Sequence, residues 1–414
     1  MLFCSPPCAR KNNLYTVNFP FYLSTRYLRS TQKGSFTRIA GVLSVAGLAV
    51  GIAALLITLF ILNGFERVIS QKIADFDGHI RIRHFLNNPI NPKIAGMDSV
   101  ISNFNGDVIQ SGFIQGPALL RKGKLAEGVI VEGIEPAGAD FLSNMLVSGS
   151  VSLGKNDIII GKKLADQLGL SIGNKVVLFD IATLRGSKKR LKQFTVSGLF
   201  HSGMTEYDKS LIFMNLELAK GLFNLEGKVT GYILRLKDQK QVSLLTETLE
   251  SNLAYPYMVM TWKEKNRALF KWMDVQRWPI IFIFGLIALV GVVNIISALA
   301  MIIIDKTRQI GILKSLGITQ GKLKQVFLAN GLIIGVAGTT GGSLLALVVA
   351  WLQNNFKLIT VPEDVYFMDF IPMDINFSNM LSVMIVATIL SILAALWPTA
   401  RAGQIEPAEA LKYE

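Results

Sequence analysis

The chain has 414 residues, of which 51% are hydrophobic and 17% charged, and its formal net charge at pH 7 is +13. This composition lies at the apolar edge of the range for soluble proteins. The basic residues are concentrated beside apolar runs, so we interpret the charge as a membrane-topology signal and exclude a nucleic-acid partner.

Four apolar runs contain no Asp, Glu, Lys or Arg, and each could cross a hydrocarbon core about 30 Å thick at about 1.5 Å per helical residue. They cover residues 39–62, 278–304, 325–355 and 377–399. The first run is too long for the apolar part of a signal peptide, which has about 7–15 residues, so we interpret it as an uncleaved anchor. The sequence predicts an integral membrane protein with four transmembrane helices.

In chain order, the sequence predicts a cytoplasmic segment, a membrane helix, a large external domain, and three further membrane helices with their connecting loops. The bounds are 1–38 (cytoplasmic N-terminal or interfacial segment), 39–63 (first helix), 64–277 (external domain), 278–304 (second helix), 305–324 (cytoplasmic loop), 325–353 (third helix), 354–376 (external loop), 377–400 (fourth helix) and 401–414 (cytoplasmic tail). Residues 17–38 interleave aromatic and basic side chains, which is typical of a helix at the headgroup level; the alternative is a plain flanking segment.

The 64–277 region mixes strand-like and helix-like patterns. Alternating apolar and polar residues predict strands at 78–84, 128–133, 157–160, 175–179, 193–199, 210–214 and 230–236. Helical patterns fall at 162–168, 216–223 and 240–252. Residues 66–74 extend the first membrane helix, and residues 263–277 lead directly into the second. We therefore predict a large α+β domain between the first two membrane helices.

Charges beside the apolar runs predict the orientation. Residues 1–38 contain six basic residues and no acidic one: Arg10, Lys11, Arg26, Arg29, Lys33 and Arg38. The 305–324 loop has five basic residues and one acidic residue, whereas the 354–376 loop has one basic residue and four acidic ones. Because basic residues in short loops stay in the cytoplasm, we predict an inner-membrane protein with both termini cytoplasmic and the 64–277 domain outside.

The sequence lacks the patterns that carry catalysis. No Gly-x-x-x-x-Gly-Lys-Ser/Thr loop occurs, so we expect no nucleotide and no cofactor on this chain. His79 and His84 are five residues apart on strand-like sequence, which suits a metal poorly. Residues 203–208 hold two carboxylates without a nucleophile or base beside them. We predict no catalytic residue and no metal site.

Two membrane runs carry small residues at helical spacing. They are Gly47 and Gly51 in the first run, and Gly331, Gly335, Gly338 and Gly342 in the third. Such faces let helix backbones approach closely, which leaves two arrangements open: pairing between two chains or tight packing within one. No charged residue lies in the middle of a membrane run, which argues against a proton- or ion-coupled carrier.

The loop after the second membrane run predicts a short amphipathic helix. Ile310, Leu313 and Leu316 repeat every three residues among basic residues, and Gly317 can end the helix. An apolar ridge of this kind suits docking into a groove on a partner; the alternative is a helix that rests on lipid. The candidate docking residues are Gln309, Ile310, Gly311, Ile312, Leu313, Lys314, Leu316 and Gly317.

A series of short motifs runs along the chain. They are Asn63-Gly64-Phe65-Glu66 after the first run, residues 133–136, 158–165, 194–200 and 203–208 in the external domain, residues 309–314 in the loop helix, and residues 398–402 and 405–411 at the C-terminal end. In this order they resemble the permease family that includes MacB, FtsX and the lipoprotein-releasing permeases of the LolC and LolE type. The resemblance extends from about Phe19 to Glu414, and the first motif is closest to the lipoprotein-releasing branch.

The resemblance implies the permease subunit of an ABC transporter, with a MacB-like core domain followed by an FtsX-like permease domain over residues 278–410. A dimer of a separate cytoplasmic ATPase, which holds ATP and Mg²⁺, would dock on residues 309–317, and a second permease copy or paralogue would pair in the membrane. In the lipoprotein-releasing members, triacylated lipoproteins enter from membrane lipid between the helices and pass to a soluble periplasmic carrier. The resemblance implies an apolar cargo cavity lined by the first two helices.

Residues 180–192 depart from the family pattern. Some lipoprotein-releasing permeases have a protruding hairpin that grips the carrier, but the corresponding stretch here is basic and lacks proline. Arg185, Lys188, Lys189 and Arg190 are the candidate contacts with an acidic carrier. The alternative is a solvated turn.

The favoured function is a lipoprotein-releasing permease, and two alternatives stay open. One is an FtsX-like mechanotransmitting regulator of a cell-wall hydrolase, and the other is a MacB-like efflux component. The FtsX type usually has a smaller external domain than the roughly 210 residues found here. The MacB type normally carries a fused ATPase domain ahead of the first membrane helix, where this sequence has 38 residues.

Overall fold

The computed structural model describes residue 24 and residues 36–94, 96–151, 153–182, 191–362 and 368–402. The chain divides into two compact units and passes between them after Gly64, Val275, Phe356 and Ile371. We call the unit with the long apolar helices the membrane unit. The other, formed by residues 65–275 and 357–371, is the domain unit.

The helices and strands follow one another from residue 36 to residue 402. In order they are α1 (Phe36–Asp77), β1 (Ile80–His84), α2 (Met97–Asn103), β2 (Val108–Lys122), β3 (Leu125–Ile134), α3 (Asp140–Ser143), β4 (Leu146–Gly149), β5 (Asp157–Gly161), α4 (Lys162–Leu168), β6 (Lys175–Asp180), β7 (Leu191–Phe200), α5 (Thr205–Ser210), β8 (Leu211–Asn215), α6 (Leu216–Phe223), β9 (Gly231–Leu236), α7 (Val242–Asn252), β10 (Tyr257–Thr261), α8 (Trp262–Lys265), α9 (Arg267–Asp305), α10 (Thr307–Ser315), α11 (Gln320–Phe356) and α12 (Phe377–Ala402). Single 3₁₀ turns lie at Pro136–Gly138 and Gln239–Gln241.

Four helices in the described part of the chain are long and apolar enough to cross a membrane. They are α1, α9, α11 and α12, and they contain the four predicted apolar runs, so the predicted membrane architecture is confirmed. Helix α1 has 42 residues and α9 has 39, which makes each about 60 Å long and thus longer than a bilayer core is thick. The outer part of each helix belongs to the domain unit.

In the part of the chain that the structure describes, the domain unit is built on one mixed sheet of ten strands. Along the main path the strand order is β10-β1-β9-β2-β3-β8-β5-β7-β4, and β6 pairs with both β2 and β7. The pairs β3–β8 and β5–β7 are parallel, and the others are antiparallel. Mixed pairing with helices between the strands gives the predicted α+β domain.

The double pairing of β6 closes part of the sheet into a barrel. Strands β2, β3, β8, β5, β7 and β6 form a continuous ring of paired neighbours. Within the described residues this closure leaves β10 and β4 as the two outer strands of the sheet. Closure hides backbone groups that would otherwise be exposed at a sheet edge.

Strand β2, with 15 residues, is the longest described strand of the sheet. The sequence patterns did not predict a strand in this region. Along one side its first half pairs with β9 through Phe113, and its second half pairs with β6 from Ala118 onward. Pro117, which has no backbone N–H, lies in the gap between these two partners, so it interrupts no hydrogen bond on that side. Gly116 lies against the ring of Phe223, where a Cβ would approach to 2.6 Å. These residues mask the alternating pattern.

Two apolar cores stabilise the domain unit. The larger fills the barrel and the space under α2, α6 and α7, and includes Ile82, Leu178 and Leu249. The smaller gathers Ile73 and Phe76 from α1 with residues of the sheet, of α9 and of the loop between α11 and α12. The outer ends of α1 and α9 are therefore packed into the core of this unit.

Candidate functional site

A groove of about 260 Å³ lies in the membrane unit between α1 and α9. Residues 47–55 of α1 and residues 284–295 of α9 supply most of the lining, and α12 adds Ala387, Leu390 and Ser391. In other proteins an apolar cavity of about 150 Å³ accommodates benzene, so this groove has room for a stretch of hydrocarbon chain. The contribution of α12 was not apparent from the sequence, because no local pattern shows which helices become neighbours.

Two glycines of α1 lie in the wall of the groove and face α9. A Cβ on Gly47 would lie 3.7 Å from Nδ2 of Asn294, and a Cβ on Gly51 would lie 3.2 Å from the side chain of Ile287. The hydroxyl of Ser44 donates a hydrogen bond to the backbone carbonyl of Asn294 at 3.3 Å, which ties the two helices together at this level. The small face predicted on the first membrane helix therefore borders the groove.

The groove opens onto the outside of the helix bundle. Val50 and Val290 in its wall are 63% and 59% exposed. The lining contains no Asp, Glu, Lys or Arg, and its polar side chains are those of Asn294 and Ser391. In a bilayer, lipid tails contact such exposed apolar side chains. A hydrocarbon chain can thus pass from lipid into the groove without crossing a charged barrier.

The small residues of α11 pack within the chain. Gly331 and Gly335 face α12, where Ala395 and Ser391 lie 2.6 and 2.8 Å from an added Cβ. Gly338 and Gly342 lie farther along the same stripe of α11 and face α1, against Leu48 and the backbone of Ala49. These four residues thus hold three helices of one bundle close together.

Helix α10 lies in the membrane unit, and its two sides differ. Ile310 and Gly311 are buried, with Ile310 in an apolar cluster that includes Ile302 and Phe327. The exposed face instead carries Arg308, Ile312, Ser315 and Leu316, whose spacing places them on one side of a helix. Leu313 and Gln309 are partly buried between these sides.

The predicted docking ridge of Ile310, Leu313 and Leu316 is therefore divided. Leu316 is 75% exposed and Ile312 is 43% exposed, so they are accessible to a partner, whereas Ile310 anchors the helix to the bundle. Arg308 and Ser315 are exposed residues that the sequence-based set omitted. Gly317 adopts a left-handed conformation, with φ +90°, and its N–H donates to the carbonyl of Lys314, which ends the helix as predicted.

The carboxylate run at residues 203–208 has a structural role. Asp208 is fully buried, and its Oδ1 accepts hydrogen bonds from the N–H and hydroxyl of Ser202 at 2.8 and 2.7 Å. Its Oδ2 lies 2.6 Å from Nδ1 of His201. These bonds fix the turn between β7 and α5 and leave Asp208 without access to a substrate.

The sequence offered two further candidates, a basic stretch and a pair of histidines. The basic candidates Arg185, Lys188, Lys189 and Arg190 lie outside the described residues. His79 is buried, and its Nδ1 accepts a hydrogen bond from the N–H of Leu236. Among the described residues, no group of three or more His, Cys, Asp or Glu side chains is placed to bind a metal ion.

Comparison with known families covers both units. Residues 42–252, just over half of the chain, match the family model described as the MacB-like periplasmic core domain. Residues 281–407 match the model described as the FtsX-like permease C-terminal domain. The first match covers most of α1 and of the domain unit, and the second covers most of α9 together with α10, α11 and α12.

Relatives with curated names match along almost their full length. The lipoprotein-releasing system transmembrane protein LolC of Xylella fastidiosa strain 9a5c is 29% identical over 420 residues, which cover 95% of this chain and 98% of the relative. LolC of Neisseria meningitidis serogroup B is also 29% identical, over 95% of this chain and 99% of the relative. LolE of Haemophilus influenzae is 27% identical, again over 95% and 99%.

Solved structures give more distant similarity. The periplasmic region of MacB from Actinobacillus actinomycetemcomitans matches 46% of this chain and 91% of its own, at 11% identity and a TM-score of 0.33. The extracellular domain of the transporter YknZ matches 44% of this chain and all of its own, at 14% identity and a TM-score of 0.32.

Proposed function

Since this chain belongs to the MacB-like periplasmic core domain family, we propose that it is the permease subunit of an ABC transporter that releases lipoproteins from the membrane in which it is embedded. The structural observation that carries the proposal is the uncharged groove between α1 and α9, open to lipid and wide enough for hydrocarbon. The near full-length similarity to relatives named for lipoprotein release supports the same function.

The energetics of the cargo require a separate energy source. Removing an acyl chain from lipid costs roughly 0.8 kcal/mol for each CH₂ group, and a lipoprotein carries several chains. The apolar wall of the groove offsets part of this cost by receiving the chains before they leave the membrane. The sequence contains no phosphate-binding loop, so the ATP and Mg²⁺ that drive release belong to a partner ATPase.

The exposed face of α10 is the proposed ATPase contact. Ile312 and Leu316 would enter an apolar groove on the ATPase, and Arg308 would lie at its edge. The uneven charges of the connecting loops support a cytoplasmic position for α10 and for both termini, with the domain unit on the other side of the membrane.

The complete transporter contains further partners. A dimer of the ATPase pairs with two permeases, the second being another copy or a paralogue of this chain. The cargo leaves to a soluble periplasmic carrier, and the basic stretch at residues 185–190 offers positive charge for an acidic carrier surface.

Depletion in the native host tests this function. The inner and outer membranes are separated at intervals after expression is shut off, and mature lipoproteins are followed in both fractions. We expect outer-membrane lipoproteins to accumulate in the inner membrane before other defects appear, and re-expression of the intact gene to reverse this. Correct sorting, with altered cell separation or drug resistance instead, would exclude lipoprotein release and favour the regulator or the efflux component.

A further inference from the structure

The end of α1 in the domain unit is bound by cationic side chains from three different segments. Arg235 of β9 donates to the carbonyl oxygens of Asp75 and Phe76, at 2.6 and 3.2 Å. Nε of Arg81 in β1 donates to the carbonyl of Asp77 at 2.9 Å, and Lys265 binds the carboxylate of Asp77. The last carbonyls of a helix lack intrahelical partners and carry partial negative charge. The two arginines satisfy three of these carbonyls, and all three cations complement the helix dipole.

Arg81 is the centre of this arrangement. It is buried, with 4% of its side chain exposed, and it makes two hydrogen bonds to the carboxylate of Glu132 in β3, at 3.1 and 3.2 Å. It also lies 3.2 Å from the carboxylate of Asp77. Glu132 accepts a further bond from Nε2 of Gln115 at 2.9 Å. Burial alone would lower the pKa of Arg81, but the charges of Glu132 and Asp77 outweigh it and raise the pKa, so Arg81 stays charged.

Asp77 links the two long helices. It is the last residue of α1, and its two carboxylate oxygens contact Lys265 and Nδ2 of Asn266, the latter at 3.4 Å. Asn266 immediately precedes α9. One buried carboxylate thus connects the end of the first long helix, the start of the second and, through Arg81, the central sheet.

Holding these segments together with buried charges costs desolvation free energy. A buried ion pair is often no more stabilising than a well-packed apolar contact of the same size, because each charge loses its hydration. Two-point hydrogen bonding between an arginine and a carboxylate does fix distance and orientation, whereas apolar side chains can slide past one another. The network therefore supplies a fixed geometry at the place where both helices join the sheet.

We propose that Asp77, Arg81, Glu132 and Lys265 form a positioning joint that makes the outer ends of α1 and α9 move together with the sheet. Both helices continue from this joint into the membrane unit, where they line the groove. In the transporter of the proposed function, on which this part of the inference rests, the joint keeps the ends of both helices in a fixed position on the sheet of the domain unit. Arg81 acts through the helices and does not touch the cargo.

Distances between spin labels test the joint in the absence of ATPase and lipoprotein. Cysteines replace the exposed residues Gln71 in α1 and Lys271 in α9, after Cys4 and Cys8 have been changed to serine in the full chain. We expect one narrow distance distribution for the parent protein. The substitution Glu132→Gln keeps the size of the side chain but removes its charge, and we expect it to widen the distribution by a factor of about two. Arg81→Met is a second, stronger variant.

A matched variant separates positioning from general stabilisation. Leu178 is buried in the barrel, away from the joint, and Leu178→Ala lowers the thermal midpoint of the domain without touching the network. We expect its distance distribution to stay narrow. If Glu132→Gln also leaves the distribution narrow, or if Leu178→Ala widens it equally, the network only stabilises the fold and the proposal is wrong.

A second measurement connects the joint to transport. In vesicles with the partner ATPase, we expect Glu132→Gln to reduce the lipoprotein released per ATP hydrolysed, while ATP hydrolysis continues. If lipoprotein is not released by the parent protein either, the proposed function fails, but the spin-label result still decides whether the joint exists.

Discussion

Gly64 in α1 lies directly against the backbone carbonyl of Pro372, and a Cβ on this glycine would overlap that oxygen. The same segment is bound to the helix two residues later, where the N–H of Asp374 donates to the carbonyl of Phe60 at 2.9 Å. Asn354 at the end of α11 bonds to both the N–H and the carbonyl of Met373. The Asn-Gly-Phe-Glu motif after the first apolar run thus permits close packing of a connecting segment on α1.

We expect Gly64→Ala to destabilise the protein by about 1–3 kcal/mol, because the obstructing atom belongs to the backbone and cannot rotate away. Thermal unfolding of the purified protein in detergent, followed by tryptophan fluorescence, measures the effect. Gly285→Ala is the control, since no described heavy atom lies within 4 Å of its added Cβ. Equal midpoints for the two variants would contradict the packing argument.

Substitutions of Gly47 should reduce lipoprotein release in proportion to the size of the new side chain. Leucine at this position would occupy space that the cargo's hydrocarbon needs, and loss of two buried CH₂ groups, about 0.8 kcal/mol each, weakens binding about tenfold. Alanine adds a Cβ at ordinary contact distance, 3.7 Å from Asn294, and should leave release nearly unchanged. Lipoprotein release from vesicles, with the thermal midpoint measured in parallel, distinguishes a filled groove from a misfolded protein. Normal release by Gly47→Leu would mean that the cargo does not use this groove.

The two sides of α10 predict two different phenotypes. Truncating both Ile312 and Leu316 to alanine should weaken binding of the partner ATPase at least about tenfold, since burying one such side chain in a groove contributes about 1.5–3 kcal/mol. Their exposure implies little change in stability. Ile310→Ala should instead lower stability by about 2–5 kcal/mol, because it removes a buried side chain. Co-purification with the ATPase and thermal unfolding measure the two effects, and the reverse pattern would place the contact on the other side of the helix.

The buried position of His79 should make the stability of the protein depend on pH. Burial, with a smaller effect of the nearby Arg235, lowers the pKa of His79 below its usual value near 6.5. Below that pH the unfolded chain takes up a proton that the folded chain resists, so the free energy of unfolding falls as the pH drops from about 6.5 toward the lower, folded-state pKa.

Thermal unfolding between pH 7.5 and 5 checks this dependence. His79→Asn keeps an acceptor for the N–H of Leu236 and should flatten the curve over this interval. Leu178→Ala changes no titratable group and should retain the slope of the parent protein. An unchanged slope in His79→Asn would assign the pH dependence to another group.

The domain unit shows where sequence patterns were sufficient. Seven of its strands were identified by short strand-like runs. Some of them pack on a core at both faces, as Ile158, Ile159 and Ile160 of β5 do. Strand β2 lacks this pattern, since its partner on one side changes from β9 to β6 along its length and it contains Gly116 and Pro117. Closure of the barrel depends on that change of partner, so it could not be predicted from any single segment.

The candidate sites were also only partly predictable from local sequence patterns. Spacing alone identified α10 as a short amphipathic helix, but it assigned Ile310 to the exposed ridge and omitted Arg308. Both Ile310 and Ile312 are apolar, and only the position of the bundle shows which one is covered. The glycines of α11 are a similar case, because their spacing predicts close packing without indicating the partner helix.

By itself, the sequence determined the four membrane helices, the α+β class of the domain between the first two of them and the family resemblance; their orientation stays a prediction. These properties depend on local quantities: the length of uncharged runs, the charges beside them, the period of the apolar residues and short motifs. The tertiary structure decided the closure of the barrel, the groove between α1 and α9, the exposed face of α10 and the joint around Arg81. Each of these depends on contacts between segments far apart in the chain, such as Asp77 with Lys265. A local sequence pattern does not show which distant residues come into contact.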